Sequence, residues 1–189
     1  MSVQDSKLFV ISGPSGAGKG TLVTRVRELR SNLGLTVSAT TRAPRKGEVD
    51  GVNYFFLTRE EFDRRVANGE FVEWAEVHGN CYGTLVSEVT SKLASGASLI
   101  LEIDVQGALQ VKERFPEAVL IFIKPPSLEV LRERLVGRGT ETPETIELRM
   151  ANAADELALA DRYDDVVVND DLDRATDELV RVLDMHERI

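Results

Sequence analysis

The segment Gly13-Pro14-Ser15-Gly16-Ala17-Gly18-Lys19-Gly20-Thr21, entered from the apolar run Leu8-Phe9-Val10-Ile11, constrains the fold more than any other stretch of this chain. It reads as a strand, a glycine-rich loop and the start of a helix. Glycines let consecutive backbone N–H groups turn inward without a Cβ clash, and the following helix aims its positive end at the same point. Lys19 then reaches the outer phosphates of the bound group, so a nucleoside triphosphate is the implied ligand. The residue after the lysine is Gly20, where the pattern wants a Ser or Thr hydroxyl for a metal ion, and Thr21 comes one position late. No protein ligand to a metal is therefore assigned. Mg2+ is expected to be held largely through substrate phosphates and water.

Further near-continuous apolar runs at residues 98–104, 119–124 and 166–168 join residues 7–12 as buried strands of a parallel sheet. Helical patterns separate them, over residues 21–33 and 86–94 and from Ser127 onward, where Ser-Leu-Glu-Val fits an N-cap. The alternation predicts an α/β fold, a parallel sheet flanked by helices, with ligands gathered at the carboxyl ends of the strands. Asp104 closes one such strand, with Glu102 two residues before it on the same face. Two segments break the rhythm. Residues 38–84 carry turn signals at Lys46-Gly47 and Asp50-Gly51 and a short amphipathic helix near residues 60–68, and read as an inserted subdomain. Residues 134–156 are charged, framed by Gly137, Gly139 and Pro143, and read as a mobile lid. The core is then 1–37, 85–133 and 157–189 of a single domain.

The chain of 189 residues, 42% hydrophobic and 29% charged, is long enough for one substantial core with insertions. Residues 1–7 lack an apolar leader and no apolar run is long enough to span a bilayer, so a cytoplasmic location without membrane association is expected. The single Cys81 excludes an intramolecular disulfide. A net charge of −9 opposes binding to nucleic-acid polymers, so the basic residues act locally. They fall into two groups, Arg42, Arg45 and Lys46 in one and Arg132, Arg134, Arg138 and Arg149 in the other. Taken alone these are solvated surface charges. Beside a phosphate loop they suggest more than one phosphate-bearing ligand, because the arginine fork matches phosphate oxygens. His78 is given no catalytic role, since transfer to an ionised phosphate needs no strong base, and Trp74 and Phe71 are read as anchors of the small subdomain.

Over nearly its whole length the chain resembles the guanylate kinases, nucleoside monophosphate kinases of the phosphate-loop class. The likeness rests on the loop from Ser12 to Lys19, on Val37-Ser-Ala-Thr-Thr-Arg42-Ala-Pro-Arg45 with Gly47-Glu48-Val49-Asp50-Gly51, and on Phe71-Val-Glu73-Trp-Ala75. Tyr82-Gly83-Thr84, Glu102-Ile-Asp104-Val-Gln-Gly107, Gly137-Arg138-Gly-Thr-Glu141 and Val168-Asn169-Asp170-Asp171 extend it. The resemblance implies transfer of the γ-phosphoryl group of ATP to GMP. It places the ATP phosphates on Gly13, Pro14, Ser15, Gly16, Ala17, Gly18, Lys19, Gly20 and Thr21, with Asn169 beside the adenine. It assigns the GMP phosphate to Arg42, Arg45, Tyr54 and Tyr82, and guanine to Ser38, Glu73, Thr84 and Asp104 with Glu102 nearby. Arg134, Arg138 and Arg149 are implied to reach the phosphates during transfer, as Lys19 and Arg42 do.

Two other readings stay open at this level. A noncatalytic module of the same kind would use the acceptor pocket to grip a protein, yet its expected mark is erosion of the loop or the arginines, and both are intact. A phosphate-loop hydrolase acting as a switch would need only one nucleotide, which two arginine groups and an inserted pocket do not suit.

Overall fold

The computed structural model describes residues 6–77, 79–137, 139 and 141–187. His78 and Arg138 lie outside them. The chain runs β1 (Leu8–Ser12), α1 (Lys19–Leu29), β2 (Gly34–Leu35), β3 (Ala39–Thr40), β4 (Phe55–Phe56), α2 (Arg59–Ala67), β5 (Phe71–Val77) and β6 (Asn80–Leu85). It continues α3 (Val86–Ala94), β7 (Leu99–Glu102), α4 (Val105–Arg114), β8 (Val119–Lys124), α5 (Leu128–Gly137), α6 (Pro143–Leu157), β9 (Asp165–Val168) and α7 (Leu172–Glu187). One parallel sheet has the order β2-β7-β1-β8-β9, and a second has the order β4-β3-β6-β5.

The apolar runs are continuous because both faces of the large sheet are covered. Phe9 and Ile11 join Ile121 and Ile123 under α1 and α7, packed with Leu22, Val26, Leu179 and Leu183. Val10, Leu101, Leu120 and Phe122 point the other way, onto Val89 of α3 and Val105, Ala108 and Val111 of α4. Each buried Val, Leu, Ile or Phe among them contributes roughly 1.5–3 kcal/mol through burial. The small sheet has its own core, in which Phe62 of α2 stacks on Phe71 with ring centroids 4.3 Å apart, beside Ala39, Cys81 and Leu85. Arg114, at the end of α4, donates from Nη1 to the carbonyls of Gly69, at 2.7 Å, and of Phe71. It thereby ties the turn between α2 and β5 to the large sheet's helical layer.

The structure corrects the sequence reading in places. Helix α1 begins at Lys19 and stops at Leu29, and the expected last turn becomes a bend leading into β2, which pairs in parallel with β7. Strand β7 ends at Glu102; Asp104 takes extended backbone and caps α4 by accepting from the Gly107 N–H at 2.8 Å. Asp104 therefore leaves the strand, and its pairing with Glu102 on one strand face is lost. Phe71 is buried as expected, but Trp74 remains 41% exposed and meets Phe62 only edge-on. The segment 134–156 contains the end of α5 and most of α6, which pack through Leu131, Leu135, Met150 and Ala153. No described helix is long and apolar enough to cross a membrane.

Gly13 sits where β1 opens into the loop, with φ 145°, and a Cβ there would lie 2.2 Å from the Ile123 carbonyl oxygen. Gly47 has φ 90° and open space around it. Gly13→Ala is expected to destabilise the protein by roughly 2–4 kcal/mol, from backbone strain plus displacement of β8, and Gly47→Ala by about 1 kcal/mol from strain alone. Thermal denaturation of the two variants checks the contrast.

Candidate active site

The phosphate loop is built by left-handed backbone at Gly16 and Gly18, with φ 90° and 89°, Gly18 serving as the N-cap of α1. The Ala17 N–H donates to the Pro14 carbonyl at 3.1 Å, closing the turn. Lys19 folds back over the loop, its Nζ donating to the carbonyls of Gly13 at 2.5 Å and Pro14 at 3.0 Å. Two arginines from other elements reach the same loop. Arg134 of α5 donates to the carbonyl of Asn169 at 2.8 Å and approaches that of Ala17 at 3.5 Å, while Arg149 of α6 donates from Nη1 to Ser15 Oγ. Asn169 is buried, donates from Nδ2 to the Ala17 carbonyl at 2.8 Å, and with Gly16, Gly18, Thr21, Arg134, Asp170 and Leu172 lines a cleft of about 260 Å³. Behind the loop, Ser12 and Tyr163 share a buried hydrogen bond of 2.5 Å.

A second basic group forms on the small sheet. The Arg42 guanidinium lies 5.4 Å from the Tyr54 ring centroid and 5.9 Å from that of Phe56, and pairs with Glu48 at 2.9 Å. Glu48 also accepts from the Arg45 N–H at 2.6 Å, which fixes the two basic residues in one turn. Hydrogen bonding to Glu48 raises the Arg42 pKa further, with a smaller contribution from Tyr82, and the same bond holds the Glu48 carboxyl below its ordinary range. Tyr54 and Tyr82 are half-buried against each other, ring centroids 6.3 Å apart. Neither is a core residue.

A third set of residues is acidic. Glu73 on β5 is buried, and its Oε1 accepts from Thr84 Oγ1 across the strand pair at 2.7 Å. Burial pushes its carboxyl up, the Thr84 hydrogen bond opposes this, and the nearby Asp104 charge adds to the rise. Gly107 leaves room there, since a Cβ on it would meet Glu73 Oε2 at 3.3 Å and Asp104 Oδ1 at 3.7 Å. Glu156 of α6 is likewise raised by burial, with Lys19 drawing it down and Asp104 pushing it up. Glu102 overhangs Gly20, its Oε1 3.4 Å from where a Cβ would stand. Ser38 lies half-buried just before β3, its carbonyl accepting from the Phe55 N–H at 2.9 Å.

The structure thus brings Gly13 to Thr21, Arg134, Arg149 and Asn169 together, groups Arg42, Arg45, Tyr54 and Tyr82 separately, joins Glu73 to Thr84 with Asp104 nearby, and sets Glu102 beside Gly20. Arg138 cannot be placed among them, because it lies outside the described residues. Sequence reasoning passed over Glu48, Glu156 and Tyr163. Glu48 stood inside a quoted motif, whereas nothing in local sequence marks a carboxylate on α6 or a tyrosine before β9 as neighbours of the loop.

Fold and site together define a nucleotide-binding protein of the α/β class, with a glycine-rich loop opening α1 and a second basic group apart from it. A family model for guanylate kinases matches residues 5–186. The chain is 52% identical over 183 residues to the guanylate kinase of Halalkalibacterium halodurans, covering 97% of this chain and 90% of that protein. It is 56% identical over 178 residues to that of Gloeobacter violaceus, covering 94% and 87%. The crystal structure of guanylate kinase from Anaplasma phagocytophilum superposes with a TM-score of 0.73 at 36% identity, covering 97% of this chain and 87% of that one. The chain belongs to the guanylate kinase family.

Because its folded-state value is raised, Glu73 holds its proton to higher pH in the fold than in the unfolded chain. Its ionisation therefore removes stability as pH climbs from the ordinary carboxylate value to the raised one. Glu73→Gln, which keeps an acceptor for Thr84, is expected to raise Tm at neutral pH. The gain should fade below about pH 4, where both states of the wild type are protonated. Melting curves across that range test the sign.

Proposed function

We propose that in this ATP:GMP phosphotransferase the segment 38–84 holds the acceptor and 134–156 closes over the donor. The single observation carrying this reading is the convergence of Lys19, Arg134 and Arg149, from three helices, on one glycine-rich loop, apart from a second basic and phenolic group on another sheet. The ATP phosphates lie in residues 13–21 and the adenine in the cleft beside Asn169. The GMP phosphate is held by Arg42, Arg45, Tyr54 and Tyr82. Phenols add donors there without adding repulsion between neighbouring cations. Glu73 accepts from guanine N1–H and the 2-amino group, and Ser38, Thr84, Asp104 and Glu102 complete the base site.

An oxygen of the GMP phosphate attacks the γ-phosphorus, and the bridging oxygen leaves with ADP. The acceptor is already ionised, so alignment and charge stabilisation carry the chemistry. Lys19, Arg134 and Arg149, with Arg138 from outside the described residues, face the charge that spreads over the moving oxygens. The donor set suits Mg2+ held largely by phosphates and water: Gly20 offers no hydroxyl, and the Glu102 carboxylate stands beside Gly20, its Oε1 3.4 Å from where a Cβ would be. Bound there, the ion would neutralise charge on the β- and γ-phosphates. The net charge of −9 and the buried free Cys81 support a cytoplasmic enzyme of free nucleotides that associates with neither nucleic-acid polymers nor membranes.

ADP release in a coupled assay is expected to depend on GMP. A rate independent of GMP would point to a hydrolase, and GMP binding without ADP formation to a noncatalytic module. Lys19→Met should lower kcat about 100- to 1000-fold. It should cost only about 1 kcal/mol of stability, through loss of the two loop carbonyl contacts.

Base reading has its own measurement. A site built on hydrogen bonds rejects an analogue lacking them by about four to five orders of magnitude, so kcat/KM for GMP should far exceed that for AMP. Glu73→Gln turns one acceptor oxygen into a donor facing a guanine N–H and should lower the GMP-to-AMP ratio about 10- to 100-fold. An unchanged ratio refutes base reading by Glu73.

A further inference from the structure

Arg149 is held from two sides. Its Nε faces Glu141 Oε2 at 2.7 Å, while Nη1 donates to Ser15 Oγ in the phosphate loop. The Glu141 side chain keeps 10% of its exposure, and its Oε2 has no aligned hydrogen-bond donor among the described residues, so the Arg149 charge is what compensates it there. A carboxylate removed from water needs such compensation. The neighbouring pair between Arg132 and Glu147, which also joins α5 to α6, is roughly half exposed on both sides and is worth little. Nor does Glu141 cap the helix that follows it. Thr142 does that, accepting from the Thr145 N–H at 3.3 Å ahead of Pro143 in the first turn.

We propose that Glu141 is a positioning residue for phosphoryl transfer, holding the Arg149 guanidinium by its Nε edge so that the Nη edge faces the phosphate loop. The inference rests on the reading of Arg149 as a transfer residue. A guanidinium is planar, so an anion on Nε fixes the direction of both Nη groups. Ser15 Oγ takes the Nη1 hydrogen bond here, and a phosphate oxygen seated in the loop takes it during the reaction. The arginine is thus oriented before substrate arrives, which is where a fixed donor gains most over a freely rotating one. A lysine at this position has one nitrogen and cannot meet both partners in this way.

The test measures kcat, KM for GMP and Tm for wild type, Glu141→Gln, Glu141→Asp, Arg149→Lys and the Gln/Lys double variant, with Glu147→Gln as the control for loss of a carboxylate on α6. Glu141→Gln is expected to lower kcat about 10- to 100-fold with KM for GMP within about twofold, and Glu141→Asp to recover part of the loss. The double variant should be no slower than Arg149→Lys alone, because one orientation is lost in both, and Glu147→Gln should match wild type. Additive losses in the double variant, or a Glu141→Gln kcat equal to the control, overturn the proposal while leaving Arg149 in its role. A wild-type kcat for Arg149→Lys overturns the role of Arg149 and the proposal together. If Glu141→Gln lowers Tm sharply, the same cycle is run with Glu141→Asp and the same additivity criterion decides.

Discussion

The Gly13 backbone passes so near the Ile123 carbonyl that no side chain fits between them, and the geometry of the donor site depends on that approach. It seats the phosphate loop against the end of β8. From the same strand end, the Lys124 carbonyl accepts from the Asn169 N–H at 2.8 Å, which places Asn169 where its side chain can hold Ala17. Arg134 closes the circuit by donating to the Asn169 carbonyl. Strand ends, loop and α5 therefore form one hydrogen-bonded unit, and its N–H groups keep their direction without a ligand to organise them.

Charge is managed locally in a chain that is acidic overall. The Arg42 guanidinium rests between an aromatic face and Glu48, while Lys19 and Arg134 rest on backbone carbonyls, which are weaker partners than a phosphate. Under the proposed assignment, an incoming phosphate would displace modest contacts and form stronger ones. The raised carboxyls of Glu73 and Glu156, both within the influence of Asp104, show the opposite imbalance, with negative groups desolvated before a donor arrives. Under the proposed assignment, a guanine edge, rich in N–H groups, would relieve that imbalance at Glu73 in a way that adenine would not.

Much of this was legible in sequence where a physical requirement is local. The phosphate loop follows from glycine spacing, and β8 over Val119–Lys124 and α3 over Val86–Ala94 match their expected bounds, because unbroken apolar runs and amphipathic spacing are short-range signals. The small sheet was not legible as a sheet. Strands β3 and β4 are two residues each and exist only through pairing with distant partners. Asp104 misled for a related reason: an Asp after an apolar run looks like the end of a strand until the Gly107 N–H claims its carboxylate. The pairing of Tyr163 with Ser12 bridges 151 positions of chain and has no local trace.

The double duty of Asp104 limits how the surroundings of Glu73 can be remodelled. Its carboxylate both starts α4 and charges the space beside Glu73, so a substitution that changes one property changes the other. Helix α4 carries Val105, Ala108 and Val111 into the core and, at its far end, Arg114 against the α2–β5 turn. Loosening its first turn would be transmitted along a rigid rod to the mounting of the small sheet. Glu73 and Thr84 are tied to each other, with both the Thr84 hydroxyl, at 2.7 Å, and its backbone bonding the Glu73 carboxylate, but neither side chain starts a helix. If these residues read the base as proposed, evolution or design seeking a different nucleobase has an open route through residues 73 and 84 and an obstructed one through 104.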